Sequence, residues 1–355
     1  MALFEQIPAP RRVLIIKPSA IGDVVHALPV LPRLRKLWPS ASITWMATPP
    51  CAALVQNHPL IDDVIIFQRK RFGRVFYNPG AMLELVGLVR QLRRRRFDLV
   101  IDLQGLFRSA WVARATGAPH RIGFAGAREG APVFYTRLVE CSQENDHAVE
   151  RYLKVASALG CDGGPIEFTF AVDDADRQFA AALVPAGSRY AVFLPGANWG
   201  TKRWPVEKFA GLVEPLKKQF GLDVVVAGAR ADSILAQQIP GTINLTGKTN
   251  LRQMVALLER AELVVANDTG PMHMAAALKR PLVAPYGPTS PRRTGPFGRM
   301  DSVIRLDIPC SPCFSRTCSH QSCLQWLDVE PVLKLAKLQM EKGALESANH
   351  ATRLT

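Results

Sequence analysis

Short apolar runs alternate with longer stretches of helical period along nearly the whole chain. In the first half, Arg12 to Lys17, Ser42 to Ala47, Val64 to Phe67 and Phe97 to Leu103 read as strands, with helices from about Val24 to Leu37 and from Gly80 to Arg96. Pro29 and Pro32 fall inside the first helical pattern, where a missing N–H and a ring clash kink or delay a helix. The second half predicts strands at Tyr190 to Leu194, Asp223 to Ala227, Leu263 to Asn267 and Pro281 to Tyr286, and helices at Val206 to Phe220, Leu251 to Arg260 and Gly270 to Leu278. Such βαβ alternation predicts an α/β fold with a mainly parallel sheet in each half and right-handed crossovers. The turn-forming stretch Gly160-Cys-Asp-Gly-Gly-Pro165 separates the halves, giving domains at 1–162 and 163–327. A closing helix within 328–355, from Asp328 to about Ala344, is placed to reach back to the first domain.

The length of 355 residues exceeds one ordinary core and fits two. Hydrophobic residues make up 48% and charged residues 21%, enough to fill both interiors, so disorder is excluded. The apolar run near the start, Val13 to Ile16, is too short for a signal-peptide core of ~7–15 residues or a membrane span of ~20, and a cytoplasmic location is expected. Lysine and arginine number 44 against 30 acidic residues, a net charge of +14 and a pI near 9.8. That field attracts anions without choosing among nucleic acid, acidic lipid and an acidic small molecule. Its densest run, Arg93 to Arg96, ends a helix, where cations complement the dipole; contact with an anionic membrane face is the other reading. No stripe of interleaved basic and aromatic residues supports nucleic-acid binding.

Chemistry concentrates on two turns. Leu194-Pro-Gly-Ala197-Asn198-Trp-Gly-Thr-Lys202-Arg-Trp-Pro205 and Ala266-Asn-Asp268-Thr269-Gly270-Pro-Met-His273 each carry an apolar run into a Gly-containing turn and then a helix. Free N–H groups at such helix starts hold phosphate. Two of them imply a diphosphate, and Lys202 supplies a fixed cation for a leaving phosphate. In the first half, Pro18-Ser-Ala-Ile-Gly22-Asp23 follows the opening strand. Asp23 there is either a helix cap or a general base accepting a proton from a sugar hydroxyl.

Ile16-Lys-Pro-Ser19-Ala-Ile-Gly-Asp23-Val-Val-His-Ala-Leu-Pro29, Asp102-Leu-Gln104-Gly-Leu-Phe-Arg108-Ser109, Arg121-Ile-Gly-Phe124 and His147-Ala-Val-Glu-Arg151 form one set of motifs. Lys202-Arg-Trp-Pro205, Asn267 to His273 and Tyr286-Gly-Pro-Thr-Ser-Pro291 form another. Together they resemble glycosyltransferase family 9, the ADP-heptose:lipopolysaccharide heptosyltransferases, over nearly the whole chain. The resemblance implies a GT-B fold, two doubly wound Rossmann-like domains facing across a cleft. It implies an inverting transferase that moves a heptose from ADP-heptose to the Kdo/heptose inner core of lipopolysaccharide, needs no cofactor or catalytic metal, and works on the cytoplasmic face of the inner membrane. Under it Asp23 is the catalytic base, Lys202 contacts the donor phosphates, and Ala197, Asn198, Asp268, Thr269, Gly270 and His273 line the donor site. Ser19, Gln104, Arg108, Arg121, Arg128 and Arg151 face an anionic acceptor, for which a guanidinium fork is suited. At Arg230, relatives often carry a glutamate that touches the nucleoside sugar; here Asp232 or a backbone carbonyl takes that contact, or Arg230 approaches the diphosphate.

Four of seven cysteines fall in the segment Cys310, Cys313, Cys318, Cys323. Their clustering is compatible with structural zinc, disulfides or reduced packed thiols, though the spacing fits no familiar finger. A reducing cytoplasm argues against stable disulfides. No Gly-x-Gly-x-x-Gly follows a strand, Gly241 to Lys248 has one residue too many for a P-loop, and neither a zinc-protease motif nor a serine-hydrolase elbow is present. A nucleotide-sugar epimerase or another sugar transferase shares the architecture, and a non-enzymatic anion binder would need only the charge.

Overall fold

A computed structural model of the chain describes residues 7–73, 77–142, 146–161 and 163–352. The chain forms two compact units, Met1–Ala171 and Val172–Thr355. In the first, β1 (Arg12–Ile16), β2 (Ser42–Ala47), β3 (Asp63–Ile66), β4 (Leu99–Asp102), β5 (His120–Phe124) and β6 (Arg137–Val139) form one parallel sheet in the order β3-β2-β1-β4-β5-β6. Val13 to Ile16 are fully buried and so is all of β4, as expected of central strands covered on both faces. The register aligns Ile16 with Asp102, so the loops after both strands leave the sheet side by side. Leu14, Ile16, Met46, Val100, Leu88 and Leu92 share one core, the leucines coming from the helix Pro79–Arg94. The single helix expected from Val24 to Leu37 is two, Ile21–Ala27 and Val30–Leu37, divided at Leu28-Pro29.

The second unit repeats this order with β7 (Tyr190–Leu194), β8 (Asp223–Val226), β9 (Ile243–Asn244), β10 (Leu263–Ala266), β11 (Leu282–Pro285) and β12 (Val303–Ile304) in the sheet β12-β11-β10-β7-β8-β9. Phe193, Trp204, Phe209, Leu212, Leu216 and Val226 make the core on one face. Burying an indole as completely as that of Trp204 stabilises by roughly 3 kcal/mol. Both sheets are doubly wound, and strand order reverses between β1 and β4 in one and between β7 and β10 in the other. Ligands of such sheets bind at that reversal, outside the carboxyl ends of the strands.

The division between units falls beyond the glycine-rich turn, and Asp162, at the expected boundary, lies outside the described residues. The reason is a set of ties to the first unit. Arg33 donates to the carbonyls of Gly164 (2.5 Å) and Pro165 (3.1 Å). His58 Nδ1 accepts from the Leu60 N–H, which leaves Nε2 to donate to the Thr169 carbonyl at 2.9 Å. Burial pushes the His58 pKa down, consistent with that neutral tautomer. The closing helix, Val329–Thr352, packs on the second unit: Val332 and Ala336 are fully buried in its core.

Candidate active site

At the reversal in the second sheet, β7 delivers the turn Pro195–Asn198 and a single helical turn, Gly200–Lys202. Beside it β10 delivers Asn267, Asp268 and Thr269, and the helix Gly270–Ala277 begins with Pro271 in its first turn. Thr269 is extended and its side chain does not cap the helix, so the first-turn N–H groups are not consumed by it. The buried amide of Asn267 ties the two turns together. It donates to the Pro195 carbonyl (2.8 Å) and accepts from the Trp204 N–H (3.0 Å).

Lys202 and Asp268 meet there, Nζ to Oδ2 at 2.6 Å, with only 17% and 7% of their side chains exposed. Thr289, after β11, donates its hydroxyl to the same oxygen at 2.7 Å. His273 Nε2 lies 3.9 Å from the other oxygen. Burial first, and then the Asp268 carboxylate, push the Tyr286 phenol well above its ordinary range, so it remains a donor. The Lys202 ammonium also sits 4.6 Å from the centroid of the Trp199 ring. Arg203 clamps the turn through two bonds to the Ala197 carbonyl (2.9 and 3.2 Å). Asn198 is exposed.

After β8, Arg230 points to solvent while Asp232 turns inward. The Asp232 carboxylate accepts from the Ala229 N–H (2.9 Å) and lies where a Cβ on Gly196 would fall, 2.4 Å away. Any side chain at Gly196 would therefore displace it. Asp232 is thus held against the turn that follows β7.

In the first unit the buried Lys17 ends the apolar run of β1, with its ammonium 3.9 Å from Asp23 Oδ2 and 4.9 Å from the Tyr152 ring centroid. Burial pulls the Lys17 pKa down, but Asp23 and Tyr152 more than reverse it, and the net shift is upward. Asp23 is in the first turn of Ile21–Ala27, its side chain 36% exposed. Oδ2 accepts from the Ala20 N–H at 3.1 Å; Oδ1 has no partner among the described residues. The cap and an available carboxylate oxygen thus coexist on one residue.

Asp102, at the end of β4, is fully buried and accepts from Gln104 N (2.8 Å), Gly105 N (3.2 Å) and the Tyr135 hydroxyl (2.7 Å). Burial raises its pKa against the pull of those bonds. This network shapes the loop that presents Gln104, whose Oε1 is buried without a partner among the described residues. Arg108 and Arg128 are exposed near that loop, the latter donating its backbone N–H to the Gly105 carbonyl (3.1 Å). Arg151 stands over the Tyr152 ring at 5.4 Å, and Ser19 accepts from Arg69 at 3.3 Å. Arg121 does not join them. It lies near the amino end of β5, opposite Val100, and its guanidinium donates to the carbonyls of Phe134 (2.9 Å) and Ala118.

Cys310, Cys313 and Cys318 are exposed and Cys323 is half-buried, all as free thiols. Among the described residues no three histidine, cysteine or carboxylate side chains are gathered to hold a metal. Sequence reasoning missed Lys17, Thr289 and Tyr286, although all three stand inside quoted motifs, because their importance lies in burial and in contacts made across the sheet.

The glycosyltransferase family 9 (heptosyltransferase) model matches residues 85–324. Lipopolysaccharide heptosyltransferase 1 of Pseudomonas aeruginosa is 32% identical, covering 87% of this chain and 88% of that protein. Lipooligosaccharide heptosyltransferase 2 of Haemophilus ducreyi is also 32% identical, covering 83% and 88%. The structure of E. coli heptosyltransferase WaaC with ADP superposes with a TM-score of 0.75 at 27% identity, over 92% of this chain and 99% of that one. The two doubly wound units are those of the GT-B fold. With two glycine-containing turns and an aspartate-bearing loop at the two sheet reversals and these relatives over most of its length, the chain belongs to glycosyltransferase family 9, the heptosyltransferases, and is a glycosyltransferase.

Proposed function

We propose that this enzyme transfers a heptose from ADP-heptose to the Kdo/heptose inner core of lipopolysaccharide, inverting the anomeric centre without a divalent metal. The observation that carries this reading is the Lys202–Asp268 pair set beside the uncapped start of Gly270–Ala277. An acceptor hydroxyl loses its proton to Asp23 Oδ1 as its oxygen bonds to the anomeric carbon. The bond from that carbon to the diphosphate breaks, and the opposite-face displacement inverts the centre. Charge growing on the diphosphate is met by Lys202 and by backbone N–H groups near Thr269 and Gly270, a preorganised donor set of the kind that lowers such barriers. In the first unit, Ser19, Gln104, Arg108, Arg128 and Arg151 are the groups left to grip an anionic acceptor.

The test is product analysis with ADP-heptose and lipid acceptors ending in Kdo or in heptose, in the presence of a chelator. A heptosylated lipid of inverted configuration is expected. Free heptose isomers without transfer would establish an epimerase instead. The 1-type and 2-type relatives are equally identical to this chain, so preference between the two acceptors is read from the same assay.

A lipid-borne acceptor also gives a task to the helix Pro79–Arg94. No helix among the described residues is long and apolar enough to cross a membrane. This one, however, exposes Met82, Leu83 (72%) and Val86, follows an exposed Tyr77, and carries Arg90 and Arg94 on its surface. Arg93 and Arg95 of the basic run are engaged, with the Ala115 carbonyl and Asp63. Apolar insertion flanked by cations suits the cytoplasmic face of an anionic membrane, at about 1 kcal/mol per basic residue. Co-sedimentation with phosphatidylglycerol vesicles should be lost on raising salt and weakened by Leu83→Glu; equal binding to neutral vesicles would refute the electrostatic share.

A further inference from the structure

The cysteine-rich segment is the one sequence motif that this reaction leaves without a task. It is tied to two neighbouring loops: Ser311 Oγ donates to the Gly287 carbonyl (2.7 Å), Phe314 N to the Pro288 carbonyl (2.7 Å), and Thr201 Oγ1 to the Ser315 carbonyl (2.9 Å). Gly287 and Pro288 follow β11, and Thr201 belongs to the first phosphate turn. The segment is therefore a strap joining two loops at the carboxyl ends of the strands.

The strap sets the position of Arg316. Its guanidinium stands 4.9 Å from the centroid of Trp199, the ring that also carries the Lys202 ammonium at 4.6 Å. One indole thus keeps two cations within about a Debye length, ~10 Å at 0.1 M salt. The ring's negative face relieves part of their repulsion. Lys202 has the Asp268 carboxylate, whereas Arg316 has no acidic partner among the described residues. An anion bound by both would remove the rest of the repulsion, and a phosphate matches the two-pronged donor geometry of a guanidinium.

We propose that Arg316 is a donor-binding residue that grips the terminal phosphate of the nucleoside diphosphate together with Lys202, and that the cysteine-rich strap serves to hold it there. This assignment rests on the nucleotide-sugar reading above. Calorimetric titration of the full chain with ADP and with AMP tests it. Arg316→Ala is expected to weaken ADP binding about tenfold, as for loss of one charge-assisted contact, and to leave AMP binding within about twofold, because the lost contact is to the second phosphate. Arg316→Lys should recover part of the loss by keeping the charge without the fork. Trp199→Leu, which releases both cations, should weaken ADP at least as much as Arg316→Ala. Equal ADP affinity for Arg316→Ala and wild type would overturn the assignment and leave the donor reading standing. Absence of ADP binding by the wild type would overturn both.

Discussion

Lys202→Ala is expected to lower kcat by about 10² to 10³, the usual cost of removing one preorganised stabiliser of transition-state charge. Two effects add in the same direction. The leaving diphosphate loses a cation, and Asp268, only 7% exposed, loses the ammonium that faces it, with the Thr289 hydroxyl still donating to the same oxygen. A buried carboxylate beside a departing dianion opposes the reaction. The double variant Lys202→Ala/Asp268→Asn should therefore be less impaired than the product of the single effects, since residues in direct contact are not additive. Steady-state rates at saturating acceptor measure this cycle. A Lys202→Ala enzyme within about threefold of wild type would remove the lysine from the proposed chemistry.

Asp23→Asn should reduce kcat by about 10² to 10⁴, the range for loss of a general base, while ADP affinity changes little. Asparagine retains an oxygen for the Ala20 N–H, so the start of the helix keeps its acceptor. It removes the charge 3.9 Å from the buried Lys17 ammonium, however, and a modest drop in melting temperature should accompany the loss of rate. Single-turnover measurements with preformed donor complex separate the two, because a merely destabilised enzyme retains its rate per folded molecule. Wild-type single-turnover rates in the asparagine variant would exclude Asp23 as the base.

The strands that hold the site are legible in the sequence because they are continuous apolar runs: β2 and β7 begin and end where the pattern puts them. The outer strands β5, β6, β9 and β12 do not announce themselves. They are short or partly polar, as in His120-Arg-Ile-Gly-Phe124, and exist through pairing with a neighbour. Among candidate site residues, Asp23, Lys202 and Asp268 stand out because each lies in the segment that links a strand to the helix after it or at that helix's start. Thr289 could not be singled out that way, since its link to Asp268 comes from the adjacency of β10 and β11. Arg121 is the converse case: its motif marks it, but it stands near the amino end of β5, where loop carbonyls accept from its guanidinium. Arg316 carries no such mark in the sequence, because its place beside Trp199 comes from contacts between loops far apart along the chain.

The Asn267 bridge limits how such enzymes can be re-engineered. Its amide is wholly enclosed and spans the Pro195 carbonyl and the Trp204 amide, so grafting a foreign donor loop between those residues without a matching partner strands a polar group in a dry interior, at about 1 to 3 kcal/mol each. Swaps aimed at new sugar nucleotides are better confined to exposed positions such as Asn198, leaving the latch intact.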